Sequence, residues 1–133
     1  MDGYGRVAIR AAELVVTRTC PSPVAAWVTA AHEVFSHSTS QQAKSCPKGA
    51  FLGLCEEGLV SGVPSGRYTE SRDNKAYAVR AAALLAHDPN LANDGPTRLW
   101  NAVLVGHRKR HNSQMNVVLA LYRSGLLCRP PTA

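Results

Sequence analysis

The sequence predicts an all-α fold of about six helices. Apolar residues recur at helical spacing in six stretches. Between them fall helix-starting and helix-stopping groups such as Ser22-Pro23, Asp88-Pro89, Asp94-Gly95-Pro96 and Gly125. Strand-like alternation is thin, with one short hairpin candidate around Ser65 to Thr69. The 133 residues, 45% hydrophobic and 18% charged, are enough for one packed domain over 1–133. That apolar content excludes a disordered chain, which could not offset the entropy of ordering.

The first helix is predicted over 5–18, where Val7, Ala11 and Leu14 share one face. Ser22 can cap a second helix with Pro23 at its first position, where a missing N–H costs nothing. Its apolar face carries Trp27, Ala30, Ala31 and Val34. Residues 36–45 are polar and read as a loop. A third helix begins near Cys46-Pro47 with Phe51, Cys55 and Leu59 aligned, and Gly58 marks its end. Asp73 or Asn74 caps a fourth helix that turns Tyr77, Ala81, Leu84 and Leu85 inward. A fifth starts at Pro96 and buries Leu99, Trp100, Val103 and Leu104. Ser113 caps a sixth, with Val117, Val118, Leu121 and Tyr122 in register.

The two halves echo one another in order. Residues 7–15 match 77–85, Pro23-x-x-x-Trp27 matches Pro96-x-x-x-Trp100, and 51–64 match 118–131 at an offset of 67. These three matches predict a duplicated three-helix unit, 4–66 and 74–131, with a pseudo-twofold and a groove between the units as the natural ligand site. Arg10 and Arg80 would be related by it, each a snorkelling or cap-binding arginine.

The formal charge of +6 is unevenly placed. In 1–66 five basic and five acidic residues cancel, whereas 67–133 carry ten basic and four acidic ones, with no acid after Asp94. This asymmetry points to a polyanionic partner. No apolar run is long enough to span a membrane, and the start MDGYGR lacks the basic and apolar regions of a secretory signal. Cys20, Cys46, Cys55 and Cys128 include no C-x-x-C pair and are too scattered for a disulfide framework. Reduced thiols in a cytoplasmic protein are the expectation.

Three segments could carry chemistry. The first is His107, Arg108, Lys109, Arg110 and His111, followed by Asn112 and Gln114. Cations just ahead of a helix suit phosphates, and Asn or Gln could read base edges. Arg72, Lys75 and Arg98 would add phosphate contacts. The competing reading is a solvated basic loop. His107 and His111 lack a third ligand, so neither metal nor cofactor is predicted. The second is Cys46 with Lys48 at a helix start, where the dipole and an ammonium lower a thiol pKa. His32 or His37 would have to serve as base, and a plain capping role competes. The third is the polar segment from Tyr68 to Tyr77, whose counterpart in the first unit, Tyr4-Gly5-Arg6, is less polar. Glu56 and Glu57 point about 100° apart on a helix and are read as surface groups or partners of a basic residue. Signatures of phosphate-loop NTPases, dinucleotide folds, zinc proteases and serine hydrolases do not occur.

The segments at 45–60, 74–85 and 111–121 resemble an uncharacterised bacterial family of small proteins, classed as a domain of unknown function. The likeness covers most of the chain and implies no activity, cofactor, partner or site residue. The residues themselves favour a basic helical module that binds a polyanion, nucleic acid first. The alternatives are a small cysteine-dependent enzyme using Cys46 and a protein-binding adaptor using the groove.

Overall fold

The computed structural model describes residues 2–104 and 109–128. It is all-α, with helices α1 (Gly3–Val16), α2 (Pro23–Val34), α3 (Thr39–Gln42), α4 (Ser45–Glu56), α5 (Arg72–His87), α6 (Pro96–Val103) and α7 (Gln114–Arg123). All but α3 correspond to the six predicted helices. A 3-10 turn, Pro89–Ala92, follows α5.

Local chemistry accounts for most of the starts. Asp2 Oδ1 accepts the Tyr4 and Gly5 N–H groups at 2.9 and 3.4 Å. Ser22 Oγ accepts from Ala25 at 3.2 Å, with Pro23 at the first helical position as predicted. The loop expected over 36–45 contains α3, because Ser38 Oγ accepts the Gln41 N–H and so supports one turn. Two other starts differ from expectation. α5 opens at Arg72 after Ser71, so Asp73 and Asn74 lie inside its first turn rather than capping it. Ser113 precedes α7 but has φ 70° and gives no side-chain cap. Gln114 Oε1 instead accepts the Asn112 N–H, and His111 Nε2 accepts the Met115 N–H. The hairpin expected around 65–69 does not form, and Glu56 holds that segment through its backbone.

α1 packs on α2, and Ala8 and Ala11 of α1 and Ala26 and Ala30 of α2 are fully buried. Small side chains let the helix axes approach. Across the two halves, α1 packs on α7, and α5 packs on α4. Trp27, Phe51, Leu54, Leu85, Leu99 and Leu121 fill the shared core. Each such side chain contributes about 1.5–3 kcal/mol by leaving water. The α4–α5 contact is tightest at Gly49 and Gly53, where an added Cβ would lie 2.9 Å from Asn74 Cβ and 2.5 Å from Lys75 Cβ respectively.

The ends of α4 and α7 are built alike. Gly58 (φ 71°) and Gly125 (φ 76°) take the left-handed conformation that follows a helix. Gly58 and Leu59 donate to Cys55 and Leu54 carbonyls, and Gly125 and Leu126 donate to Tyr122 and Leu121. Both are Schellman closures, each completed by a leucine–leucine pair. The chains then meet in an antiparallel bridge, Val60 opposite Leu127. Its hydrogen bonds are reciprocal: Ser61 N–H donates to Leu126 O at 2.8 Å, and Cys128 N–H donates to Leu59 O at 2.7 Å. Equivalent positions, Gly58 and Gly125, Val60 and Leu127, the donors Ser61 and Cys128, and the acceptors Leu59 and Leu126, each stand 67 residues apart, the offset at which 51–64 echo 118–131.

Arg10 and Arg80 are used differently. Arg10 Nε pairs with Glu33 at 2.9 Å, whereas Arg80 Nε donates to Val103 O at 3.1 Å and closes the end of α6. No helix among the described residues is long and apolar enough to cross a membrane.

Candidate functional site

Glu56, in the last turn of α4, organises one side of the site. Its side chain is 9% exposed, Oε1 accepts the Tyr68 and Thr69 N–H groups at 2.7 and 2.8 Å, and Oε2 meets Lys75 Nζ at 2.7 Å. Lys75 also reaches Glu57 at 2.8 Å. Burial alone would raise the Glu56 pKa. The Lys75 ammonium and the two backbone donors outweigh it and hold the carboxyl at about 2. Glu56 is therefore a fixed acceptor that ties 66–72 to α4, and it holds no proton to donate near neutral pH. Between that segment and the end of α4 lies an open cleft of about 900 Å³, lined among others by Arg67, Tyr68, Glu70 and Arg72.

A second network joins the starts of α5 and α7. Gln114, fully buried, donates from Nε2 to Asn74 Oδ1 at 3.0 Å, and Asn74 Nδ2 donates to Ser71 Oγ at 2.7 Å. The same Ser71 and Asn74 side chains face Gly49 of α4. Lys109 Nζ lies 5.2 Å from the Tyr77 ring centroid, within cation–π range. Tyr77 meets Trp100 edge-on, and Trp100 stacks obliquely on His111. Trp100 Nε1 donates to Lys109 O at 3.0 Å and so anchors the basic segment. Trp27, its counterpart in the matched sequence, has a buried Nε1 without an acceptor among the described residues.

His111 sits half-buried where the two halves meet. Burial lowers its pKa below the ordinary 6.5, the Lys44 ammonium adds to that, and Asp2 opposes. Lys44 immediately precedes α4, so the starts of α4 and α7 lie close, while their ends meet at the Val60–Leu127 bridge. The two helices thus run side by side in one direction, with their positive dipole ends together.

The three segments singled out from the sequence therefore adjoin one another: 45–49, 68–77 and 109–114. Their members are not equally free. Lys75, expected as a phosphate contact, is held by two carboxylates. Arg98 pairs with Asp94 at 2.8 Å on the surface. Gln114 and Asn112 serve the start of α7, and the buried Gln114 cannot read a base edge. Arg72, Lys109 and Arg110 are exposed and have no carboxylate within ion-pair distance among the described residues. His107 and Arg108 lie outside the described residues.

Cys46 is the second residue of α4, with Pro47 third, rather than a cap followed by a first-position proline. Neither Cys46 nor Lys48 has a side-chain hydrogen-bond partner among the described residues, and His32 instead contacts Gln42. Cys55 is buried, which pushes its thiol pKa up and makes it a core residue. Among the described residues no group of three or more His, Cys, Asp or Glu side chains could hold a metal. Of the two readings of Glu56 and Glu57 from sequence, partners of a basic residue holds, with Lys75 as that residue. Sequence reasoning missed that Glu56 also pins the Tyr68 and Thr69 backbone.

Residues 1–128 match the model of a family of unknown function, DUF6979. The chain belongs to that family. No curated protein and no solved structure matches it. The family description brings no activity to these residues.

Proposed function

We propose that the chain is a polyanion-binding module, and that nucleic acid is the ligand class it fits best. One observation carries the reading: Lys109 and Arg110, just ahead of α7, are exposed with no carboxylate within ion-pair distance among the described residues, and the Lys44 ammonium of the first half acts on the charge of His111 beside them. Lys109 and Arg110 are exposed, and the Trp100 hydrogen bond fixes the Lys109 backbone. Cations presented on a fixed frame neutralise phosphate and release counterions.

The duplication belongs to this reading. Two related units, 4–66 and 74–131, would each supply a third helix to one shared pole. The reciprocal 59–128 and 61–126 hydrogen bonds and the twin Schellman closures support it. The test is fluorescence anisotropy with labelled duplex DNA, single-stranded DNA and RNA across a salt series. Lys109→Ala with Arg110→Ala should weaken binding and flatten the log–log salt slope by roughly 0.9 per lost phosphate contact on duplex DNA. Unchanged affinity and slope in that double variant, or no binding at low salt, would refute the reading.

A further inference from the structure

The cleft beside Glu56 is separate from the basic pole and has a chemistry of its own. Its wall is preformed, because Glu56 fixes the Tyr68 and Thr69 amides and Lys75 fixes Glu56. Lys75 is consumed by Glu56 and Glu57, so it offers no net positive charge to a ligand. Arg67 and Arg72 also line the cleft. Both are exposed and neither has a carboxylate within ion-pair distance among the described residues. Two guanidinium groups flanking one cleft match a dianion better than a single carboxylate, since each can donate a paired set of N–H groups. The Glu70 carboxylate and the outward face of Glu57 are acceptors on the same lining, suited to hydroxyl donors. A volume of about 900 Å³ lies within the range of small-molecule sites.

The two ends of the molecule differ at this point. At the offset of 67, α7 carries Arg123 and Ser124 where α4 carries Glu56 and Glu57. At the offset of 70 that relates α1 to α5, Gly5 stands in place of Lys75. The buttress thus exists once, although the helices that frame it are paired. We propose that this cleft binds a small phosphorylated molecule bearing hydroxyl groups, its phosphate held between Arg67 and Arg72 and its hydroxyls by Glu57 and Glu70.

The test is a two-dimensional amide NMR titration of the full chain with inorganic phosphate and with ribose 5-phosphate, at constant ionic strength set with chloride. Both should shift the Gly66, Arg67, Tyr68 and Thr69 amides, and ribose 5-phosphate should bind more tightly. Arg67→Ala with Arg72→Ala should weaken binding at least about tenfold. Both residues are exposed, so an unchanged spectrum elsewhere verifies the fold. Lys109→Ala with Arg110→Ala should leave this binding intact, which separates its failure from failure of the polyanion reading. Shifts confined to 109–114, no shift at 66–69, or equal binding in the Arg67/Arg72 variant would each overturn the cleft proposal. Ribose 5-phosphate binding no tighter than phosphate would overturn the part given to Glu57 and Glu70.

Discussion

Replacing Gly53 by alanine sets two effects of opposite sign against each other. Alanine is better than glycine inside a helix by about 1 kcal/mol, since it loses less backbone entropy on folding. At Gly53, however, the new Cβ would stand 2.6 Å from Lys75 Cα and 2.5 Å from Lys75 Cβ. A Cα cannot rotate away, so α5 must shift, and Lys75 carries both ion pairs to α4. Overpacking of this kind costs about 1–3 kcal/mol. Backbone contact places Gly53 in the upper half of that range. The expected net effect is a destabilisation of about 1–2 kcal/mol, or a melting temperature roughly 3–8 °C lower for a chain of this size. Urea unfolding followed by circular dichroism measures it. Gly49→Ala is the internal comparison, because its new Cβ meets only the Asn74 and Ser71 side chains, at 2.9 Å or more. It should cost less than Gly53→Ala. A Gly53→Ala protein stabilised by its helix propensity would refute the claim that α4 and α5 touch backbone to backbone.

Two further predictions concern titrating groups. Glu56→Gln keeps an acceptor for Tyr68 and Thr69 but loses the charge opposite Lys75, and should cost about 1–2 kcal/mol at neutral pH in denaturant unfolding. The folded-state pKa of Glu56 lies near 2 against an ordinary 4.5, so its contribution is complete above 4.5 and lost as pH falls from there toward 2. The gap between wild type and Glu56→Gln should close over that interval, and a gap that stayed constant would sink the assignment. His111 has its pKa lowered and accepts the Met115 N–H through an unprotonated nitrogen. The unfolded chain therefore binds the proton more readily, and stability should fall as pH drops below 6.5. His111→Gln should remove that part of the pH dependence, which differential scanning calorimetry from pH 8 to about 5 would reveal.

Much of the fold was legible because local rules decided it. Ser22-Pro23 starts α2 through one hydroxyl and one fixed φ, both readable from two residues. Gly58 and Gly125 end α4 and α7 because only a residue without Cβ takes a positive φ cheaply there. The misread starts fell where other side chains, near or distant, take the place of the expected cap. Ser113 had the composition of a cap, but Gln114 and His111 satisfy the backbone and leave the serine left-handed. Asn74 was expected to cap and instead bonds Gln114, forty residues away. Gly49 and Gly53 escaped notice because apolar periodicity records what fills a face and says nothing of where a face is left bare. In the site, the charge asymmetry located the basic segment. It could not tell which cations were already neutralised, since Lys75 meets Glu56 and Glu57 only through the α4–α5 packing.

The reciprocal closure at Val60 and Leu127 also sets an order of assembly on a chain made from one end. Leu59 O, exposed backbone as the first half leaves the ribosome, waits for Cys128, which follows 69 residues later. The face of α1 that belongs on α7 waits with it. Non-local pairings of this length are slow to form, and until then the nascent first half displays apolar surface. Vectorial synthesis therefore holds the first half in an unfinished, adhesive state until the second has emerged. A stop codon shortly before Leu126 would leave α7 in place but remove Leu126 O and Cys128 N–H, and with them both hydrogen bonds of the closure.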